Sequence, residues 1–225
     1  DGPTLRAFAF VANYDGKAIA VADLSAFAVA RHVALDDHPT ELVAPRRFPG
    51  VIALTPASGV LHEVDLEGFK LKRRLSLGNP ATTMRVHPDG KRLFVLSPKR
   101  IQIVDLATFS VTNQISLPEP CVSLDIAPYL DAVALPSASG GRIHMLNSGD
   151  KQVSGAIQVP SGSDSGSAPG TPALGPVRFL GDGRSLVAAD LKNGAISLFD
   201  TASRQRIVDL PVSMRPDRFC FSADG

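Results

Sequence analysis

The sequence predicts an all-β fold, a β-propeller of four-stranded antiparallel blades. Five segments share the pattern apolar-x-x-x-Asp/Asn, four of them with a second apolar residue two before the end and the segment 61–65 with a glutamate there. The closing residue of each is called the anchor here: Asp23, Asp65, Asp105, Asn147 and Asp200. The anchors lie 42, 40, 42 and 53 residues apart. An aliphatic residue follows every anchor by twelve positions: Leu35, Leu77, Leu117, Val159 and Val212. A period near forty built from short alternating strands is typical of propeller blades, and helix signals are nearly absent.

The repeat divides the chain into blocks, whose strands are labelled A to D from the centre outward. The first block contains strands B, C and D only, four complete blocks follow, and strand A of a further blade is predicted last: 7–35, 40–77, 83–117, 123–159, 176–212 and 217–223. We therefore expect one propeller domain, or a fragment of one, with about five blades represented. A truncated larger ring is favoured, because the chain stops at a turn, and closure with five blades is the alternative.

Turn chemistry supports this register. Pro88-Asp89-Gly90-Lys91 lies between strands A and B of the third block, where proline presets φ and glycine accepts a positive φ. The anchor Asp105 opens the C–D turn, where its carboxylate can accept a backbone N–H two residues on. The long fourth step is explained by surplus residues at 160–175, a Ser/Gly/Pro-rich stretch predicted to be a flexible insertion.

Composition narrows the function classes. The formal net charge is +1 and no large cluster of Lys or Arg occurs, so nucleic acid is not an expected partner. No apolar run is long enough to cross a bilayer. The absence of Trp argues against Trp-Asp repeats. Cys121 and Cys220 are predicted to remain thiols. The chain starts at Asp1 without Met, and we expect a fragment or a processed product.

Two motifs carry a family resemblance. The segment 10–24, FVANYDGKAIAVADL, and the segment 87–95, HPDGKRLFV, resemble the YVTN family of bacterial β-propeller repeats. Blocks two and four depart from it, because Arg46-Arg47 and Tyr129-Leu130-Asp131 replace the Asp-Gly turn. Members of this family usually close with seven blades, so the resemblance implies that this chain is part of a truncated seven-bladed ring. They are commonly exported, which implies a periplasmic or secreted setting. It specifies the fold and leaves the activity open.

Propeller sites normally lie at the channel mouth, which is built from D–A joints and B–C loops. The candidates for binding a ligand there are Asp37, His38, Asn79, Lys99, Arg100, Arg142, Lys192 and Arg215. The favoured function is a non-catalytic binding or scaffold module, monomeric and without a cofactor or metal, which contacts a protein, peptide or glycan at this mouth. The segment 36–38 (Asp-Asp-His) offers three ligand types for a cation, but three adjacent residues in a loop rarely suffice, and a charged turn is expected.

Two alternatives stay open. The resemblance extends to lactonases similar to 6-phosphogluconolactonase, which would need an acid/base residue and cationic partners that converge. Glu119 with Arg100, Arg142 or Arg215 is the best available set. The other alternative is a domain of a larger redox or DNA-associated protein. His62 and His144 share one repeat position and are expected to serve packing or a hydrogen bond, and the pairs Arg46-Arg47 and Arg73-Arg74 are expected to be solvated surface.

Overall fold

The computed structural model describes residues 7–150, 152–159, 174–213, 215–216 and 218–220. The chain forms two compact units, here the first unit (1–95 with 103–112) and the second unit (96–102 with 113–225). Most of the insertion predicted at 160–175 and part of the strand predicted at 217–223 lie outside the described residues. Leu174 and Gly175, which the sequence assigned to the insertion, instead begin a strand.

All the regular structure in the described ranges is β-strand, which confirms the predicted fold class. The strands of the first three sheets are β1 (Phe8–Asn13), β2 (Ala18–Asp23), β3 (Ala28–Ala34), β4 (Glu41–Val43), β5 (Gly50–Thr55), β6 (Val60–Asp65), β7 (Leu71–Ser76), β8 (Thr83–Val86), β9 (Arg92–Ser97), β10 (Arg100–Asp105) and β11 (Ser110–Ser116). Those of the last two sheets are β12 (Asp125–Ile126), β13 (Ala132–Pro136), β14 (Arg142–Asn147), β15 (Gly155–Gln158), β16 (Leu174–Phe179), β17 (Ser185–Asp190), β18 (Ala195–Asp200) and β19 (Gln205–Pro211).

These strands form five antiparallel meanders. The first sheet has three strands, β1-β2-β3, and each of the other four has four consecutive strands. The anchor at the end of strand C pairs with the first residue of strand B: Asp23 pairs with Phe8 in the first sheet, and Asp65 pairs with Gly50 in the second. Propeller blades are repeated meanders of this kind. Within the described residues, the first sheet contains three strands, which correspond to the predicted strands B, C and D.

The anchors accept nearby backbone amides: Asp65 accepts one two residues on, as predicted, whereas the bond to Asp105 comes from three residues on. Asp105 Oδ1 accepts the Thr108 amide at 2.8 Å, and Asp65 accepts the amides of Glu67, Gly68 and Lys70. The amide of Gly68 is the main reason that the pKa of Asp65 lies below its ordinary value. In the fourth sheet the anchor is a donor instead of an acceptor. The backbone N–H of Asn147 donates to Asp150 Oδ2 at 2.9 Å.

The fourth residue after an anchor adopts a left-handed backbone in four sheets: Phe27, Phe69, Phe109 and Arg204. Phe27 is 93% exposed, whereas the side chains of Phe69 and Phe109 contact a neighbouring sheet. The Phe69 ring meets the Phe8 ring edge-on with centroids 4.8 Å apart, and the Phe109 ring lies under the Arg73 guanidinium at 4.7 Å. At Phe69 and Phe109, contacts between sheets therefore offset a backbone conformation that costs about 1–3 kcal/mol.

Neighbouring sheets within each unit are joined at their inner strands by a carboxylate. Glu41 Oε2 in β4 accepts the Met84 amide of β8 at 2.7 Å in the first unit. Asp125 Oδ2 in β12 accepts the Phe179 amide of β16 at 2.8 Å in the second unit. Hydrogen bonds from a main-chain amide to a carboxylate are stronger than those between neutral groups, so they fix adjacent inner strands in register.

The aliphatic residues twelve positions after the anchors are buried in four of the five sheets. Leu35, Leu77, Leu117 and Val159 are each 4–7% exposed, and Val212 is half-buried. Leu35 and Leu77 belong to apolar clusters of the first unit, and Val159 belongs to one in the second unit. The described part of the chain contains no helix with the length and apolar character needed to cross a bilayer.

Candidate functional site

D–A joints and B–C loops lie on the same edge of each sheet, called the rim here. In the second sheet the Leu77 amide donates to the Gly59 carbonyl at 2.8 Å, and in the fourth the Val159 amide donates to the Gly141 carbonyl at 2.9 Å. These bonds tie the end of strand D to the start of strand C. The residues nominated for the channel mouth therefore share one edge within each sheet, and the A–B and C–D turns occupy the other edge, called the turn edge.

The best-organised group of side chains on the rim surrounds Glu119 in the second unit. Ser139 Oγ donates to Glu119 Oε2 at 2.6 Å. His144 Nε2 lies 2.9 Å from Glu119 Oε1, so this ring nitrogen carries the proton and donates. Arg142 Nε lies 3.5 Å from the same oxygen. The His144 side chain is 4% exposed and that of Glu119 is 23% exposed, so the group is partly buried.

These contacts keep Glu119 ionised. Burial acts to raise the pKa of this carboxyl, but hydrogen bonds from Ser137, Ser139 and His144, with the nearby His144 charge, lower it to about 2. A general base works best with a pKa near the working pH. Glu119 is therefore suited to holding the rim loops of the fourth sheet together and is a weak candidate for proton transfer at neutral pH.

The depressed pKa predicts how stability depends on pH. Glu119 contributes its full stabilisation above its ordinary pKa of 4.5, and the contribution is lost as the pH falls toward about 2. Glu119→Gln should therefore be less stable than the wild type at pH 7, and the difference in free energy of unfolding should shrink between these two values. Urea unfolding at several pH values measures it.

The matched control for that experiment is Glu67→Gln, because Glu67 is an exposed residue of a C–D turn. It should change the free energy of unfolding little across the same range. A difference between wild type and Glu119→Gln that stays constant from neutral to acid pH would contradict the assignment of Glu119 as a bound carboxylate.

Cys121 lies beneath the same joint. It forms an isolated bridge with Ser137, and its Sγ lies 3.7 Å from the Glu119 carbonyl oxygen. Burial, with the Glu119 charge, raises the pKa of the thiol to about 12. The group is therefore not a nucleophile at neutral pH. Neither Cys121 nor Cys220 forms a disulfide in the ranges that the structure describes, in agreement with the prediction.

The second sheet repeats this arrangement with different chemistry. Asp37 follows its anchor by fourteen residues, as Glu119 does, and His62 occupies the position of His144. His62 is fully buried and its Nε2 lies 3.1 Å from the Thr55 hydroxyl, as the expectation of a hydrogen bond required. Burial lowers the pKa of His62, so the ring is neutral and structural.

The rim at the first two sheets carries an aromatic pair, of which Tyr14 is exposed and His38 is half-buried. The Tyr14 ring stacks on the His38 ring with centroids 4.5 Å apart, and His38 Nδ1 donates to the Tyr14 carbonyl at 2.7 Å. Asp36 forms an ion pair with Arg74 at 2.7 Å. Asp37 has a lowered pKa, chiefly because the His38 amide donates to it. These contacts make segment 36–38 a charged turn, and no group of three metal-ligating side chains occurs in the described ranges.

The remaining predicted rim residues are distributed as follows. Asn79, Lys99 and Arg215 are exposed, and Arg100 and Lys192 are half-buried. Of the three arginines proposed to converge on Glu119, only Arg142 contacts it within the described ranges. Sequence reasoning missed Ser139 and His144 as partners of Glu119. The shared repeat position of His144 and His62 indicated that both histidines have a similar place in their blades. It did not indicate which carboxylate His144 contacts.

Comparison with known proteins supports the fold. No protein-family model matches the chain, and no curated protein matches it. Among many solved structures that match, hydrazine synthase of Kuenenia stuttgartiensis aligns with a TM-score of 0.76 and 14% sequence identity. The alignment covers 93% of this chain, and the chain spans 64% of that protein's length. At this identity the similarity establishes the architecture alone, so the chain is a β-propeller whose function has to be argued from its own residues.

Proposed function

We propose that this chain is a non-catalytic binding module of the YVTN type, which contacts a protein or peptide through its rim. The observation that supports this is the state of Glu119. Its carboxylate accepts bonds from Ser139 and His144 and lies beside Arg142, so the best candidate for catalysis serves as a structural tie. A rim whose loops are fixed by such ties offers a preorganised surface, which reduces the entropy lost on binding.

The rim presents the residue types that dominate protein interfaces. The Tyr14 side chain is 55% exposed and is held flat by His38, and that of Arg142 is 52% exposed while anchored at one nitrogen by Glu119. Tyrosine and arginine are enriched at interface hot spots because each combines a large contact area with polar groups. We therefore place the contact residues at Tyr14 in the first unit and at Arg142 in the second.

A partner-capture experiment tests this proposal, with Tyr129 as the matched control. The chain contains two tyrosines, and Tyr129 is 83% exposed but lies at an A–B turn on the turn edge. Photo-crosslinking in extracts of the source organism should yield a protein that is captured by wild type and by Tyr129→Ala, and lost with Tyr14→Ala. Capture that survives Tyr14→Ala and disappears with Tyr129→Ala would overturn the rim assignment. Binding to a glycan array through Tyr14 would show that the partner is a glycan instead.

The second candidate is lactone hydrolysis, and one observation favours it: Glu119, Arg142 and His144 do converge within 3.5 Å. Hydrolysis of 6-phosphogluconolactone by wild type and Glu119→Gln decides between the two functions. We expect no turnover above background from either. Activity in wild type that Glu119→Gln abolishes would replace the binding proposal with the enzymatic one.

The setting is proposed from the family resemblance. We place the protein in the periplasm or outside the cell, as a monomer, with protein, peptide or glycan partners and without nucleic acid. The role as a domain of a larger redox protein remains the third candidate, and the similarity to hydrazine synthase supports it only at the level of shared architecture.

A further inference from the structure

The first unit contains a cleft of about 590 Å³ on its turn edge, called the basic cleft here. It lies between the A–B turn of the second sheet and the A–B and C–D turns of the third sheet. Its floor is apolar and is formed by Phe48, Pro49, Leu106 and Ala107. A volume of this size is typical of sites for small molecules, which pair an apolar floor with a few placed polar groups. Strand β5 runs from this cleft at Gly50 to the rim at Thr55, so the cleft is separate from the proposed contact surface.

The walls of the basic cleft are strongly cationic. They carry five basic side chains: Arg46, Arg47, Lys72, Arg73 and Lys91. The two acids of the lining are already engaged, because Asp89 pairs with Arg92 at 2.7 Å and Asp105 accepts the Thr108 amide. The chain as a whole has a net charge of only +1, so this concentration of positive charge is local.

The basic side chains fall into a fixed set and an available set. Arg73 donates to the buried carboxylate of Glu63 and to the carbonyls of Leu106 and Ala107, at 3.2 and 2.9 Å. Lys72 lies 3.4 Å from the same carboxylate. Within the described ranges, Arg46, Arg47 and Lys91 have no carboxylate partner, and all three are exposed at the mouth.

Two tight turns with left-handed residues position the available cations. Arg47 adopts φ +62°, in a turn closed by the bond from the Phe48 amide to the Pro45 carbonyl at 3.1 Å. That position of a type II turn normally requires glycine or asparagine, and retaining an arginine there costs stability. Gly90, with φ +67°, brings the other turn so close that a β-carbon would lie 3.2 Å from the Arg46 carbonyl oxygen. Two turns from different sheets thus converge and present cations over one apolar floor.

We propose that the basic cleft binds a small aromatic phosphate. The aromatic body would lie on Phe48, Pro49 and Ala107, and the phosphate would be bound by Arg46, Arg47 and Lys91. Arginine and lysine form short charge-assisted bonds to phosphate oxygens, and a dianion complements the excess positive charge of the walls. An apolar floor alone would accept an uncharged ring, and exposed cations alone would accept any anion, so the combination defines the ligand class.

The experiment measures the Kd of 2-naphthyl phosphate by fluorescence titration of the full chain. The test variant is Arg46→Gln/Lys91→Gln, and the control is Arg31→Gln/Lys70→Gln, which removes two exposed cations of the same unit away from the cleft. We expect the test variant to weaken binding by about tenfold or more and the control variant to bind like wild type. Uncharged 2-naphthol should bind more weakly than the phosphate, and with equal affinity to wild type and test variant.

A second pair of variants separates loss of the site from loss of the fold. Ala107 is an exposed floor residue, and Ala107→Glu adds a carboxylate where Ala107→Gln adds the same volume without charge. We expect Ala107→Glu to bind 2-naphthyl phosphate more weakly than Ala107→Gln, with the same melting temperature for both. Equal Kd values for wild type and Arg46→Gln/Lys91→Gln, or equal affinity for the phosphate and 2-naphthol, would overturn the proposal.

Discussion

Leu117→Asp should lower the free energy of unfolding by about 4 kcal/mol or more, the largest effect that we expect from one substitution. Leu117 follows its anchor by twelve residues, is 6% exposed, and closes strand β11 by donating its amide to the Lys99 carbonyl at 2.9 Å. Burial of such a side chain contributes about 1.5–3 kcal/mol, which aspartate forfeits. Burying a carboxylate there adds a desolvation cost.

Thermal unfolding followed by circular dichroism measures this effect. In a chain of this size each kcal/mol lowers the melting temperature by about 2–4 °C, so a drop of about 10 °C is expected. The control is Leu24→Asp, since Leu24 is 48% exposed and should change the free energy by about 0.5 kcal/mol or less. A melting temperature for Leu117→Asp equal to that of wild type would refute the assignment of this repeat position to the core.

Gly59→Ala should be far more damaging than Gly78→Ala, although both glycines have a left-handed backbone with φ of +61° and +73°. A β-carbon at Gly59 would lie 1.9 Å from the Asn79 carbonyl oxygen, whereas one at Gly78 would meet nothing within 4 Å. Alanine in the left-handed region costs about 1–2 kcal/mol at either position. Only at Gly59 must the neighbouring backbone also move, which adds about 1–3 kcal/mol.

Urea unfolding of the two variants measures the difference directly. The comparison isolates the close approach of the B–C loop to the D–A joint, since the backbone strain is common to both. Because Asn79 is one of the predicted rim residues, Gly59→Ala should also displace it, while Gly78→Ala should leave the rim intact. Equal destabilisation by the two substitutions would mean that the loops of the rim do not touch in the way described here.

The repeat could be predicted from the sequence because its determinants are local. Asp105 and Asp89 bind amides within three residues of themselves, and the aliphatic residue that ends strand D recurs at a constant distance from the anchor. Such interactions form in any chain that has the same residue types at the same spacing. The fold class, the three-stranded first sheet and the position of the turns could therefore be predicted by counting.

The candidate sites are different, because their parts come from distant segments. Glu119 and His144 are 25 residues apart, and Arg73 meets the Ala107 carbonyl across 34 residues. Asp37 and Glu119 occupy the same repeat position, but Asp37 turns toward its own loop while Glu119 receives His144. A repeat position specifies where a residue lies in its blade and leaves its partners open.

By itself, therefore, the sequence determined the architecture: the period of the anchors, the alternation of the strands and the chemistry of the turns are short-range properties. The tertiary structure alone decided that the Glu119 carboxylate is bound by Ser139 and His144, and that three basic segments of no individual significance surround one apolar floor. The physical reason is that ionisation and binding depend on which charges and apolar groups lie within a few ångströms, and stacking of the sheets, rather than spacing along the chain, sets those distances.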